Sequence, residues 1–104
     1  YENIVSSAAR LSHELTRIHP FKNGNGRMSR LLINAILLRA GLYPIPFMGH
    51  LKMIKPKLKK TYYNAMYQAD NGNFSQLENF IVRGILISQN KELAARRKKL
   101  AIRA

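Results

Sequence analysis

Apolar residues recur along this chain with the three- and four-residue spacing of an α-helix. The first apolar stripe consists of Ile4, Ala8, Leu11, Leu15 and Ile18. It predicts a helix that ends before Pro20, because the residue before a proline avoids the helical conformation. No segment shows the two-residue alternation of a strand, and there is no internal repeat. The pattern therefore predicts an all-α fold.

A second helix is predicted after the breaker cluster from Gly24 to Gly26. The run from Leu31 to Leu38 is apolar on nearly every face, as in the buried central helix of a bundle. Gly41 is the expected C-terminal stop, since glycine readily adopts the left-handed conformation that ends helices. Residues 43–47 contain two prolines and are expected to be extended or turned.

Two further helices complete the predicted bundle. The third begins near Pro56, a residue suited to a first turn. Its inward positions are Leu58, Tyr62, Ala65, Met66 and Ala69. The fourth follows a turn at Asn71 to Asn73, with Asn73 and Gln76 resembling a capping box. Its inward positions are Phe74, Leu77, Phe80, Ile81 and Ile85.

Length and composition indicate one domain with a core of its own. The chain has 104 residues, of which 46% are hydrophobic, enough for a packed core but not for two. We expect a helical core over residues 1–88 and a basic helical tail over 89–104. Because the sequence does not begin with Met and starts within a predicted helix, we interpret it as part of a longer protein. The longest apolar run is too short to span a membrane.

Charge and cysteine content narrow the function classes. Eighteen Lys and Arg against five Asp and Glu give a net charge of +13, which favours nucleotides, nucleic acids, acidic proteins or membrane surfaces as partners. The absence of cysteine excludes disulfides and thiolate metal sites. Two basic runs, 52–60 and 91–103, lack interleaved aromatics and are better interpreted as solvated faces than as nucleic-acid contacts.

The candidate chemistry lies in residues 19–30, a loop that leads into the second helix. Glycines on both sides of Asn25 allow backbone N–H groups to converge on an anion. Arg27 and Arg30 share a face of the first helical turn, where cations oppose the helix dipole. Since no carboxylate occurs from Leu15 through Ala69, a bound polyphosphate is the simplest counter-ion.

His19 immediately precedes this loop and could accept a proton near neutral pH. A histidine at a helix end is, taken alone, more often a C-terminal cap. Its neighbours, Gly24 to Gly26 and two arginines, favour the catalytic interpretation. The glycine pair is not a dinucleotide fingerprint, because neither a preceding strand nor a third glycine is present.

Residues 19–30 resemble the signature of the Fic family, H-x-F-x-[D/E]-G-N-G-R-x-x-R, and match it at every fixed position except the acidic one. The likeness continues in Leu31 to Asn34, Arg39 to Gly41, Tyr62-Tyr63 and Gln68 to Asn73, so it covers roughly residues 1–88. It implies a Fic-like helical bundle around a central helix, and the C-terminal portion of a Fic domain, without the upstream β-hairpin that aligns the target segment.

The resemblance implies an enzyme that moves AMP, or a related nucleotide moiety, from ATP to a Tyr, Ser or Thr hydroxyl of a target protein. His19 would be the catalytic base. The implied nucleotide-binding residues are Asn23, Gly24, Asn25, Gly26, Arg27, Arg30, Tyr63 and Asp70. Gly26 argues against the phosphorylating branch of the family, which typically has Lys there. The cytoplasm is the expected compartment.

Asn23 occupies the position where the family carries the acidic ligand of Mg²⁺. An amide offers the metal only a neutral oxygen, so Mg²⁺ would be held weakly at Asn23, through phosphates and water. The alternative function is therefore a weak or silent Fic fold that binds nucleotide as a regulatory module. A basic nucleic-acid-binding protein is a third, less favoured hypothesis.

Regulation is a further expectation from the resemblance. Some family members are blocked by an inhibitory helix with the pattern [S/T]-x-x-x-E-[G/N], or by an antitoxin partner. Ser88 and Glu92 have the required spacing, but Leu93 fails the last position, and a continuing helix explains them equally well.

Overall fold

The computed structural model describes residues 2–18, 24–45 and 56–103. They form four helices, α1 (Glu2–Ile18), α2 (Asn25–Arg39), α3 (Pro56–Asp70) and α4 (Ser75–Arg103). These ranges contain no strand, which confirms the predicted all-α class. His19, Asn23 and the lysines of 52–55 lie outside the described residues.

The helices pack as two pairs that share one core. α1 lies along α2 and α3 along α4, and α1 also contacts α3 and α4. α4 has 29 residues. At 1.5 Å per residue it is about 43 Å long, and it accounts for most of the 52 Å long axis of the molecule. The buried apolar core consists of Val5, Ala8, Ala9, Ile33, Leu37, Leu42, Ile45, Tyr62, Ala65, Met66, Ala69, Leu77, Phe80, Ile81 and Ile85.

The buried face of α1 differs from the predicted stripe. Leu11 and Ile18 are exposed, whereas Ser12 and His13 are buried. Small residues at Ala8, Ala9 and Ser12 let α2 approach closely. The Ser29 hydroxyl of α2 donates a hydrogen bond to the Ser12 carbonyl at 2.8 Å. Close helix contact therefore selects the face with small side chains over the face with larger ones.

One face of α2 is buried, through Ile33 and Leu37, while Leu31 and Leu38 on the other side are exposed. The expectation of burial on nearly every face thus holds for one face only. The helix ends as predicted: Gly41 has φ +83°, and its N–H donates to the Leu38 carbonyl at 3.0 Å. Such a φ is accessible to glycine at little cost.

The segment after α2 is fastened back onto it by Asn34. The Asn34 side-chain amide donates to the Ile45 carbonyl at 3.2 Å and accepts from the Ile45 N–H at 2.7 Å. This reciprocal pair imitates a backbone ladder. It places Ile45 in the core although residues 42–45 belong to no helix.

The predicted boundaries of the last two helices are confirmed. α3 begins at Pro56, and the Asn73 side chain accepts from the Ser75 N–H at 3.2 Å and from the Ser75 hydroxyl at 2.7 Å. This cap satisfies a backbone donor at the start of α4. α4 continues without interruption through residue 88, where the boundary between core and tail was expected, so that boundary stays a prediction. None of the described helices is apolar and long enough to span a membrane.

Candidate nucleotide-binding site

An open pocket of about 280 Å³ lies where the end of α1, the start of α2 and the middle of α3 meet. Its lining residues are Thr16, Gly24, Arg27, Arg30, Tyr62, Tyr63 and Met66. Two arginines and a helix N-terminus on one side, with tyrosine rings and a thioether on the other, provide positive charge beside an apolar wall. Such a pocket suits a ligand with an anionic part and a flat apolar part.

The floor of the pocket is the first turn of α2. Gly24 precedes the helix with φ +83° and ψ 16°, and its carbonyl accepts from the Met28 N–H at 2.9 Å. Glycine adopts this left-handed conformation without a Cβ penalty and has no side chain to cap the helix. Gly24 therefore provides no side-chain cap for the N–H groups of the first turn.

Arg30 is one of the buried residues that line the pocket and is 8% exposed. Its guanidinium carbon is 5.8 Å from the centre of the Tyr62 ring. Among the described residues its Nε is buried without a hydrogen-bond partner, and the salt bridges found there are His13–Asp70, Glu14–Arg17 and Glu92–Arg96. A buried cation with an unsatisfied donor is costly unless an anion joins it.

Tyr62 forms the wall behind Arg30. Burial raises the pKa of the Tyr62 hydroxyl to about 12, although the positive charge of Arg30 and a hydrogen bond from it act in the opposite direction. Tyr62 also packs against Phe80 with ring centres 5.3 Å apart. The neutral phenol thus supports the guanidinium at physiological pH without neutralising it.

A hydroxyl cluster joins α1 to α2 beneath the pocket. Thr16 and Ser29 are hydrogen-bonded to each other, and each contacts the Ser12 carbonyl, at 3.0 and 2.8 Å. The two hydroxyls have two protons for three contacts, so one hydroxyl donates to the other, which donates to the carbonyl. Because Ser29 directly precedes Arg30 in α2, this cluster fixes the position of Arg30 relative to α1.

Thr16 and Ser29 are not among the residues predicted from the sequence, and Tyr62 and Met66 are predicted only as core residues. Thr16 carries a usable signal, because it precedes His19 by three residues, about one helical turn. Ser29 lies between the two arginines of the motif. A polar residue in a turn that also buries apolar neighbours needs a hydrogen-bond partner, because buried polar groups are nearly always hydrogen-bonded. This indicates a partner on the facing helix.

Four of the predicted site residues are brought together in the pocket: Gly24, Arg27, Arg30 and Tyr63. Asn25 and Gly26 form the first residues of α2. His19 and Asn23 lie outside the described residues. Asp70 is not among the residues that line the pocket; its carboxylate contacts the buried His13 at 2.7 Å.

The described lining residues offer no ligand set for Mg²⁺, because none of them carries a carboxylate. No group of three metal-ligating side chains occurs in the described part of the chain. Thr16 and Tyr63 supply only neutral oxygens, which bind a hard dication weakly without a carboxylate beside them. The described pocket therefore fits an anion and does not by itself fit the metal.

Comparison with known proteins agrees with this geometry. The profile of the Fic/DOC family matches residues 1–37, which contain Gly24, Arg27 and Arg30 of the pocket. The chain belongs to the Fic family. This confirms the resemblance inferred from residues 19–30.

Curated relatives extend the match beyond the family profile. The chain is 42% identical over 76 residues to a protein adenylyltransferase Fic of Nematostella vectensis, covering 72% of this Fic chain and 16% of the relative. It is 38% identical over 77 residues to those of Aedes aegypti and Drosophila melanogaster, covering 74% of this chain and 14% of each relative. The chain thus spans about a sixth or less of these relatives. No solved structure matches it significantly.

Proposed function

We propose that this Fic chain carries the nucleotide-binding part of a transferase that moves AMP from ATP to a hydroxyl side chain of a protein. The observation that carries the proposal is Arg30, a buried guanidinium with an unsatisfied Nε at the N-terminus of α2. Relatives of the chain are named protein adenylyltransferase. Family membership supports the proposed reaction class, and the pocket supports the proposed preference for an anion.

In this proposal the start of α2 binds the phosphates. Backbone N–H groups from Gly24 to Gly26 donate to phosphate oxygens, Arg30 neutralises the inner charge, and the more exposed Arg27 binds the outer phosphates. Tyr63 and Met66 of α3 provide a surface for the nucleoside. Such positioning and charge neutralisation account for most of the catalysis in phosphoryl-type transfers.

The transfer itself requires a base at the mouth of this pocket. We assign that role to His19, which follows the last residue of α1 in the chain. It would accept the proton of the target Tyr, Ser or Thr hydroxyl while that oxygen bonds to the α-phosphorus and pyrophosphate leaves with the broken P–O bond. Bound Mg²⁺ would add charge neutralisation; no step of the proposal depends on it.

A second candidate function is a regulatory nucleotide-binding module without turnover. Two observations favour it: Asn23 is an amide at the family's acidic position, and the described lining residues of the pocket include no carboxylate. It shares the binding site with the first proposal and differs in catalysis. A measurement of AMP transfer therefore distinguishes the two candidate functions, whereas a measurement of ATP binding does not.

The experiment measures both properties in the 104-residue chain and in the full protein. ATP binding is measured by calorimetry for the parent, for Arg30→Met and for Arg39→Met, an exposed arginine at the other end of α2 that serves as the matched control. Loss of an ionic hydrogen-bond donor of about 1.5–3 kcal/mol should weaken binding by about tenfold or more in Arg30→Met alone. Equal effects in both variants would overturn the proposed site.

Transfer is measured with ATP labelled on the α-phosphate and a cell extract. We expect label in protein with the full protein, and a reduction by about 10²- to 10⁴-fold in His19→Ala with ATP binding retained. Binding without transfer in the parent would support the regulatory module. Transfer that is undiminished in His19→Ala would contradict the assignment of the base.

A further inference from the structure

A line of exposed leucines runs along the outer side of α4. Leu86, Leu93 and Leu100 are 54%, 49% and 65% exposed, and Val82 continues the line toward the core end of the helix. We call Val82, Leu86, Leu93 and Leu100 the leucine stripe. Residues seven apart in a helix drift by only about 20°, so these side chains lie along one side over about 27 Å.

The leucine stripe does not belong to the face that packs into the core. The buried residues of α4 are Leu77, Phe80, Ile81, Gly84, Ile85 and Ser88. By the helical period they lie on the side opposite Leu86 and Leu93. Single exposed leucines are common on protein surfaces, but a line with heptad spacing is the pattern by which one helix binds another.

Polar and basic residues flank the leucine stripe on both sides. Gln89 and Asn90 lie between the first two leucines, and Arg96 and Arg97 lie between Leu93 and Leu100. The Arg96 guanidinium contacts the Tyr43 hydroxyl at 2.7 Å and Glu92 at 3.4 Å. Because consecutive residues are about 100° apart around a helix, Arg96 and Arg97 lie on opposite edges of the leucine stripe. A helix bound to the stripe would therefore contact a guanidinium group at each edge.

Charge decides which occupant fits. A second copy of the chain paired in parallel would bring Arg96 and Arg97 toward the same residues of its partner, and in any pairing both molecules carry +13. A membrane surface requires a broad apolar face, whereas the leucine stripe is one residue wide and the exposed Ile87 and Ile102 lie on other sides of the helix. An acidic amphipathic helix can pack apolar side chains on the leucines and also pair carboxylates with the arginines.

We propose that the leucine stripe binds an acidic amphipathic helix of a partner protein. Leucine or isoleucine side chains of the partner pack on Leu86, Leu93 and Leu100, and its glutamates pair with Arg96 and Arg97. The binding surface lies on a different helix from the pocket, and the proposal does not depend on the proposed transferase function.

The test uses the 104-residue chain and two labelled helical peptides with identical leucine heptads. One peptide carries glutamate beside the leucines and the other carries lysine. Fluorescence anisotropy at about 0.15 M salt, where charges beyond about 8 Å are screened, should show the acidic peptide binding at least tenfold more tightly. Circular dichroism checks that each protein variant keeps its helix content.

Matched variants locate the binding surface. Leu93→Ser is compared with Ile102→Ser, which removes an apolar side chain that is more exposed but lies off the leucine stripe. Arg97→Glu is compared with Lys98→Glu, one position onward and about 100° around the helix. Removing one contacting leucine, worth about 1.5–3 kcal/mol when fully buried, should weaken the acidic peptide by about tenfold or more, and Arg97→Glu should weaken it similarly. The two controls should bind normally.

Four outcomes would overturn the proposal. The first two are no binding of the acidic peptide at about 100 μM, which corresponds to a binding free energy weaker than about −5.5 kcal/mol, and equal binding of both peptides. The other two are an equal loss of binding in stripe variants and controls, and preference for another occupant. Two measurements test for another occupant. In analytical sedimentation, a dimer that Leu93→Ser abolishes would identify a second copy of the chain. With anionic phosphatidylserine vesicles, binding that depends on Leu93 would identify a membrane.

Discussion

At the scale of single residues, the pocket depends on the burial of one charge. Arg30 is covered by Tyr62 on one side and follows the buried Ser29, so its guanidinium cannot turn freely into solvent. The free energy of desolvating that group is spent during folding, before any ligand arrives. An anion that enters the pocket then gains the interaction with a pre-oriented donor, which is why a buried arginine contributes more to binding than an exposed one.

Asn23 is the residue at which catalysis is expected to respond to a single change. Asn23→Asp adds a charged oxygen at the family's metal-ligand position, so we expect a higher transfer rate and a higher apparent affinity for Mg²⁺, with ATP affinity changed little. The measurement is initial rate against Mg²⁺ concentration in both proteins. Unchanged Mg²⁺ dependence would show that the metal is bound elsewhere or not used, and a large fall in rate would show that the amide itself positions substrate.

Tyr62 should make the fold sensitive to alkaline pH. Its pKa is about 12 in the folded chain, against an ordinary value of 10.0 for tyrosine, so the folded state retains a proton that the unfolded state loses. Stability is thus fully present below pH 10 and falls as the pH rises toward 12, by roughly 2–3 kcal/mol if the whole shift is expressed. Urea unfolding between pH 9 and about 11.5 should show this loss in the parent and a smaller one in Tyr62→Phe. Tyr67→Phe, at an exposed position, is the control and should follow the parent.

At the scale of elements, α2 is held at both ends by polar contacts. The hydroxyl cluster of Thr16 and Ser29 fastens its first turn to α1, and Asn34 fastens residues 42–45 to its second half. Buried polar contacts of this kind specify one register, because a shift by one residue would leave several donors unsatisfied. The position of the first turn of α2 is therefore set by packing on both sides of the motif.

Gly84 reports how closely residue 45 approaches α4. A Cβ added at Gly84 would lie 2.7 Å from two carbon atoms of the buried Ile45 side chain. Gly→Ala within a helix normally stabilises by up to about 1 kcal/mol, but overpacking costs about 1–3 kcal/mol. We expect Gly84→Ala to lower the free energy of unfolding, measured by urea titration. Pairing it with Ile45→Ala should recover part of the loss, and a stabilised single variant would contradict the close contact.

At the scale of the whole molecule, excess positive charge opposes compaction. The chain carries +13, and only three ion pairs occur among its described residues, two of them between neighbours on one helix. The third joins His13 of α1 to Asp70 at the end of α3. Fold stability must therefore come from the apolar core, while the net charge favours anionic ligands.

Salt should stabilise this protein. Raising NaCl from about 0.01 to about 0.15 M shortens the Debye length from about 30 to about 8 Å and screens repulsion among the basic residues. We expect Tm to rise by a few degrees in differential scanning calorimetry, and to rise less in a Lys98→Glu/Lys99→Glu variant with four fewer positive charge units. A Tm that falls with salt would mean that attractive pairs outweigh the repulsion.

Local chemistry along the chain was enough to predict the helices and the identity of the motif. Gly41, Pro56 and Asn73 act through their own backbone preferences, so the boundaries they mark agree with the structure. The Fic signature is likewise a local property of residues 19–30, and the family match confirms it. These features depend on residues within a few positions of one another, which is the range over which sequence patterns are informative.

Tertiary packing alone decided which faces are buried. Ser12 and His13 replace Leu11 at the buried face of α1, because the small residues beside them allow α2 to approach. Arg30 is buried because Tyr62, 32 positions away in the sequence, covers it. The Asp70 carboxylate contacts His13, 57 positions earlier in the sequence. Each of these outcomes is a competition among contacts distant in sequence, and its energy is defined only once the helices have met.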